Sequence, residues 1–368
     1  MLATAQDPNQ NYIKTTSYKL PTATAMTSPS PAQASQSITY FDGLGRPVQQ
    51  VAGKQSSEGK DIVTHIEYDA FGRQAKEYLP YPSANTALEF TSPQTALQAT
   101  LSHYQSAYGD ANPFSEKLFE ASPLNRVLKQ AAPGNDWAIG NGHEVNMDYQ
   151  TNAAADAVKL YIANAGAPSG GYYPVSLSQQ SNYPAGMLYK TVTKDENWIS
   201  GKANTTEEYK SKEGQVVLKR TYDMVPSRGG LLAKAHNTYY VYDQYGNLSF
   251  VLPPLSDGSG SQQDLAGLCY QYRYDYRNRL VEKKLPGKQW EFIIYDKLDR
   301  AIATGPSLHP FGNGTEGWLF TKYDIFNRVA YTGWYNGHQA NSLERNNLQT
   351  LANLSLIHIS EPTRRYAI

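Results

Sequence analysis

One six-residue pattern keeps returning along this chain, and it limits the possible folds more than any other feature. Its clearest copy is Tyr274-Asp275-Tyr276-Arg277-Asn278-Arg279, followed by Tyr295-Asp296-Lys297-Leu298-Asp299-Arg300 and Tyr323-Asp324-Ile325-Phe326-Asn327-Arg328. Earlier copies are Tyr242-Asp243-Gln244-Tyr245-Gly246-Asn247, Tyr68-Asp69-Ala70-Phe71-Gly72-Arg73 and Phe41-Asp42-Gly43-Leu44-Gly45-Arg46. The rule is aromatic, Asp, any residue, bulky, then Gly, Asn or Asp, then usually Arg. A pattern repeated in this way implies one supersecondary unit laid down in series.

The fifth position decides what that unit is. It holds Gly45, Gly72, Gly246, Asn278, Asp299 and Asn327, all residues that tolerate a positive φ. The Asp three places earlier can accept from backbone N–H groups two residues on. Asp at the first corner of a type I turn, followed by a left-handed residue, makes a hairpin loop with a bulge. Each copy therefore predicts a β-hairpin. A single such motif would mark no more than a tight turn, but six copies with a shared return strand are not chance.

A seventh copy is disguised. In Ser122-Pro123-Leu124-Asn125-Arg126, Ser takes the Asp place, Pro suits the next corner and Asn125 takes the left-handed position. Its return strand, Arg126 to Gly134, aligns without a gap on Arg279 to Gly287, and both end in Pro-Gly. Proline cannot donate to a ladder and so stops each returning strand. Tyr209 to Gly214 and Tyr222-Asp223 read as further, decayed copies.

The expected class is mainly β: serial antiparallel hairpins forming a curved sheet, with a few short helices. Residues 1–37 form an N-terminal segment in which Asn11 to Tyr18 is a first strand. Residues 38–135 carry the first hairpins, interrupted near 92–108 by a helix that opens on Ser92-Pro93 and ends at Gly109. Leu97, Leu101, Tyr104 and Tyr108 mark its apolar face, and it is expected to cover a sheet edge. Residues 136–220 lack clear copies and read as a β-rich insertion. Hairpins resume over 221–340, with a helical turn from Gln262 to Leu268, and 341–368 begin with a helix whose apolar residues are Leu343, Leu348 and Leu351.

Both ends depart from this pattern. Ala3-Thr4-Ala5 before Gln6 has the form of a signal-peptide cleavage site without the apolar stretch before it, so a remnant of a secretion signal is expected there. Leu354 to Arg364 resembles the translation of a sequencing-library adapter, so residues from about Leu354 onward are expected to stand outside the fold.

Composition narrows function mainly by exclusion. Lys+Arg and Asp+Glu both number 33, giving zero net charge, which argues against a nucleic-acid or anionic-membrane surface. No stretch approaches the roughly 18 apolar residues of a transmembrane helix. The single cysteine, Cys269, reads as a small buried apolar residue. Tyr outnumbers Phe 29 to 10, which suits a sheet whose rings pack while their hydroxyls stay polar. The histidines are scattered without a metal-ligand spacing, and no nucleophile elbow or phosphate loop occurs. Asp195-Glu196 and Glu207-Glu208 are adjacent acids, not carboxylates facing each other across a cleft. No catalytic, cofactor or metal site is expected.

The aromatic-Asp-x-bulky-Gly/Asn-Arg hairpins resemble the YD repeats of the Rhs family. Asn11-Tyr12-Ile13 followed by Ile38 to Pro47 is similar to the N-terminal region of large secreted Rhs proteins of Bacteroidetes type. The resemblance covers most of residues 11–335. It implies a β strip that coils into a shell, often around a toxic C-terminal domain, with secreted or cell-surface location. Its partners would be further repeats and the effector in the same polypeptide. The core that follows the repeats in that family and its proteolytic carboxylates have no counterpart here. Two other readings remain open: a glycan-binding surface built on Trp290, Trp318, Trp334 and exposed Tyr, and a polysaccharide-acting enzyme in the 136–220 insertion.

Overall fold

The computed structural model describes residues 9–354 apart from Ala25, Arg228, Gly229, Phe311 and Asn313. The signal-like Ala3-Thr4-Ala5 and the adapter-like tail beyond Leu354 lie outside the described residues. The chain is mainly β with antiparallel pairing throughout its named strands. It divides into two compact units, the first running to Asp148 with Thr193–Thr205 added, the second comprising Tyr149–Val192 and the residues from Thr206 on.

The elements in chain order are β1 (Asn11–Tyr18), β2 (Ala34–Phe41), β3 (Pro47–Ala52), β4 (Ile62–His65), β5 (Lys76–Tyr78), β6 (Tyr81–Pro82), helix α1 (Pro93–Tyr108), β7 (Phe114–Phe119) and β8 (Val127–Ala131). Next come β9 (Val145–Thr151), β10 (Lys159–Ala165), β11 (Val175–Asn182), β12 (Tyr189–Lys194), β13 (Thr205–Lys210), β14 (Val216–Ser227), β15 (Gly230–Tyr242) and β16 (Leu248–Leu252). Helix α2 (Gln262–Gly267) precedes β17 (Tyr270–Tyr274), β18 (Leu280–Lys284), β19 (Trp290–Tyr295), β20 (Ala301–Leu308), β21 (Glu316–Tyr323) and β22 (Val329–Tyr335), and α3 (Ser342–Leu354) follows.

In the first unit a five-stranded sheet runs β1-β2-β3-β4-β6, and β5 pairs with β7, which pairs with β8. Alternation along β2 and β3 sends Ile38, Tyr40 and Val51 to one face, where they meet Val63, Tyr81, Leu88 and Ala96. Helix α1 begins where Ser92 accepts from the Thr95 N–H and ends at left-handed Gly109. Its expected orientation needs correcting. The buried residues are Ala96 and Thr100, while Tyr108 is exposed. Small side chains let the helix backbone approach the sheet, so α1 covers a sheet face rather than only an edge.

In the second unit β13 to β22 pair in sequence order, each antiparallel to the next. The hairpin β10–β11 lies as a flap against the β13–β17 part, burying Val158, Tyr161 and Ala163 with Tyr209, Leu218, Tyr239, Leu252 and Cys269. Thus only part of the 136–220 stretch is an addition, since β13 and β14 belong to the serial sheet. Tyr222-Asp223 makes no bend; both sit mid-strand in β14 opposite Ala235 and Lys234.

Helix α3 is also oriented differently from its apolar pattern. Arg345, Gln349 and Ala352 are buried, whereas Leu343 and Leu351 are exposed. Polar groups win because the sheet beneath supplies their partners. Arg345 Nε donates to Glu282 Oε1 at 3.2 Å, and both side chains are fully buried. The Gln349 amide accepts from the Tyr295 N–H at 2.9 Å and donates to its carbonyl at 2.8 Å. The β18–β19 pairing stops at Phe292, short of Tyr295. Gln49 brackets Thr91, and Gln244 brackets Ala165, in the same way.

Candidate functional site in the hairpin-turn ladder

The repeated turns share one geometry. Gly45, Gly72, Asn125, Gly246, Asn278, Asp299 and Asn327 all have φ between +53° and +82°. In the six clear copies one carboxylate oxygen of Asp42, Asp69, Asp243, Asp275, Asp296 or Asp324 accepts from the N–H groups two and four residues on, at 2.8–3.0 Å. Where position six is Arg, its Nε donates to the other carboxylate oxygen at 2.7–2.8 Å. One Asp thus closes the loop and fixes the Arg stem. The carboxyls of Asp42, Asp69 and Asp324 are held below the ordinary carboxylate range, first by the backbone N–H at position six and then by its guanidinium. At Asp296 burial pushes the other way, and the bonds from Arg300 outweigh it.

The fixed Arg reaches out of its own turn. Arg279 donates to Asp299 Oδ1 and Arg300 to Asn327 Oδ1, each at 2.8 Å, in the following hairpin. Arg73 does the same to Asn125 at 2.8 Å, and Asn247 reaches Asn278 at 3.2 Å. The guanidiniums of Arg46, Arg279 and Arg300 also lie over the rings of Tyr68, Tyr295 and Tyr323, with 4.5–4.9 Å to the centroid.

The aromatic at position one reaches back. Tyr68, Tyr274, Tyr295 and Tyr323 donate their hydroxyls to the carbonyls of Pro47, Leu248, Leu280 and Ala301, at 2.8–3.0 Å. Each acceptor is the residue just after position six of the preceding turn. At these four positions Tyr is therefore not interchangeable with phenylalanine, which would fill the space and leave the carbonyl without that donor.

The disguised copy divides the work of one Asp between two residues. Ser122 Oγ accepts from Leu124 N–H, while Glu120 accepts from the backbone and guanidinium of Arg126. Glu120 escaped the sequence reading because the loop is two residues longer, with Glu120 N–H donating to the Arg126 carbonyl. The decayed copy at Tyr209 to Gly214 places Ser211 in the Asp position: Ser211 N–H donates to the Gln215 carbonyl and Gly214 N–H to that of Ser211. The outward reach of Arg was also missed, although an Arg at a fixed distance from each turn was the available signal.

The densest cluster of ionisable groups outside the turns surrounds Glu207. Lys190 pairs with Asp156 at 2.7 Å and Glu207 at 3.3 Å, and Tyr209 and Tyr222 donate to Glu207 at 2.8 and 2.9 Å. Glu207 is fully buried and its oxygens are taken up by these partners. The arrangement holds strands together. Strand alternation turns Glu208 away to pair with Lys210. Among the described residues no group of three or more His, Cys, Asp or Glu could hold a metal ion, and no helix is long and apolar enough to cross a membrane. Trp318 is buried, Trp290 lies under Arg273, and Trp334 donates to the Ser307 carbonyl.

Residues 14–151 match a family described as Domain of unknown function (DUF6443). That segment contains the first three turns. No curated protein matches the sequence. Among solved structures the chain is similar to the "Crystal Structure of TcdB2-TccC3-Cdc42", at 14% identity and TM-score 0.52 over 85% of this chain and 13% of that one. It is likewise similar to the "Crystal Structure of TcdB2-TccC3", at 13% identity and TM-score 0.52 over 87% of this chain and 14% of that one. The likeness is one of fold, and this chain spans about an eighth of the length of those chains.

Proposed function

We propose that this chain is a non-catalytic structural segment of a secreted Rhs-type shell, built of YD repeats, that encloses or displays a C-terminal effector. One observation carries this reading. At successive turns the motif's chemistry is directed at the neighbouring hairpin: Asp to its own loop, Arg forward and Tyr backward. A motif used this way extends a wall. The similarity of fold to TcdB2-TccC3 supports the same reading.

The test is protease protection in the longer polypeptide. With the ladder intact, a segment carried behind it should resist digestion. Arg279→Ala with Arg300→Ala should expose it. Equal digestion of both forms would overturn the proposal. A glycan-binding reading draws support from the solvent-facing rings at the turn tips, Phe71, Tyr245, Tyr276 and Phe326. Saturable binding on a glycan array, lost on Phe71→Ser and Phe326→Ser, would favour it instead.

A further inference from the structure

The ladder's last described rung, at β22, is incomplete in a specific way. The preceding turns show what completes a rung. At Arg279–Leu280 the guanidinium holds Asp299 and covers the Tyr295 ring, while the Leu280 carbonyl accepts from the Tyr295 hydroxyl. Arg300–Ala301 receives Asn327 and Tyr323 in the same three ways. Arg328–Val329 presents the same groups at the same place in its turn. Arg328 is bonded to Asp324 and lies over the Phe326 ring of its own loop, at 5.2 Å to the centroid, and 74% of its side chain is exposed, against 9% for Arg279. Among the described residues no side chain of another turn meets Arg328, and none donates to the Val329 carbonyl. Strand β22 pairs, among the described residues, only with β21, and Val329, Tyr331 and Tyr335 are exposed along it. A strand edge with unpaired N–H and C=O groups is a template for another strand.

We propose that the β22 edge, with Arg328 and the Val329 carbonyl, is a docking site for one further hairpin of sequence Tyr-Asp-x-bulky-Asn/Asp. The proposal rests on the ladder reading above and names the partner that reading implies. The incoming strand pairs with β22. Its Tyr ring lies under the Arg328 guanidinium, and its hydroxyl donates to the Val329 carbonyl. The fifth-position carboxylate or amide takes the remaining Arg328 N–H. The site therefore selects a hairpin by side chains as well as by backbone, which distinguishes it from a generic sticky edge.

The probe is a fluorescently labelled peptide of this chain's own Gln289 to Leu308, the hairpin that Arg279 already receives. Titrated with the full chain, it should bind saturably in anisotropy measurements. Arg328→Ala in the protein should weaken binding about tenfold or more, since it removes a charged hydrogen bond and a ring contact. Tyr295→Phe in the peptide should weaken it about fivefold, the worth of one hydroxyl bond. Leu44→Ser, on a turn of the first unit, should leave it unchanged. Arg328 is exposed, so the variant is expected to keep the parent circular dichroism. Equal binding to the Arg328→Ala protein, or no binding by a monomeric parent, would overturn the proposal. So would dimerisation of the chain through β22 without peptide binding, which would make a second copy the occupant. If the peptide fails while Arg279→Ala still lowers the melting temperature, only this inference falls; glycan binding would sink the scaffold reading instead.

Discussion

At the scale of the residue, the chain is governed by a left-handed backbone position that only a few side chains accept. Gly72 has φ +75°, and a Cβ there would meet Arg46 at 3.1 Å. Gly72→Val should cost about 1–2 kcal/mol, the penalty of the left-handed region for a branched residue, measured by chemical denaturation. Tyr295→Phe should cost about 1 kcal/mol through the lost bond to the Leu280 carbonyl. The pH response follows from the carboxylates. The bonds from Arg126 hold Glu120 down from an ordinary 4.5 to about 2, and Asp42, Asp69 and Asp324 are likewise lowered. A folded-state value below the unfolded one gives stability that is complete above the unfolded value and lost as pH falls through the folded one. Melting temperature should therefore hold near neutrality and fall from about pH 4.5 toward 2, and Glu120→Gln should flatten that fall. The left-handed positions could be read from sequence because the steric rule is local. The destination of each Arg could not, because nothing in six residues says which neighbour will lie within reach.

At the scale of the element, helix boundaries were legible and helix orientation was not. Ser92-Pro93 and Gly109 delimit α1 through capping chemistry that any helix shares. Which side it buries depends on what lies beneath. Ala96 and Thr100 face the sheet because they allow close approach, and Leu97 and Leu101 fall to the flanks. In α3 the reversal is stronger, since Arg345 is buried against Glu282 while two leucines face water. Burial holds the Arg345 charge below its usual affinity for protons, and Glu282 offsets this. Arg345→Ala should cost about 3 kcal/mol or more, because it leaves a buried carboxylate short of a partner, with Arg273 still in place. Hydrogen exchange should then show α3 and the Tyr295 backbone losing protection together. Unchanged exchange in α3 would show that the helix is held by Ala352 and Leu348 alone.

At the scale of the whole molecule, the mainly β architecture was legible from the repeat, because each turn names two strands and each return strand ends at a set length. The flap β10–β11 was not, because its contacts with Tyr239 and Gly258 are far away in sequence. The ladder predicts non-additivity. Arg279→Ala and Asp299→Ala each break one rung, so the double variant should cost less than the sum, with a coupling of about 0.5–1 kcal/mol in a double-mutant cycle. A pair drawn from different units, Gly72→Val with Tyr295→Phe, should add within about 0.5 kcal/mol.

The forward grip of Arg and the backward grip of Tyr have a consequence for how such a wall changes length. From the Asp275 turn onward each hairpin offers its successor the same handhold, Arg279 and Leu280 to the Asp296 turn and Arg300 and Ala301 to the Asp324 turn. Removing one complete finger, or duplicating one, rejoins matching surfaces and leaves no mismatch at the seam. Losing half a finger strands both grips. Variation in size should therefore come in steps of two strands, and related chains should differ by whole rungs, never by odd ones.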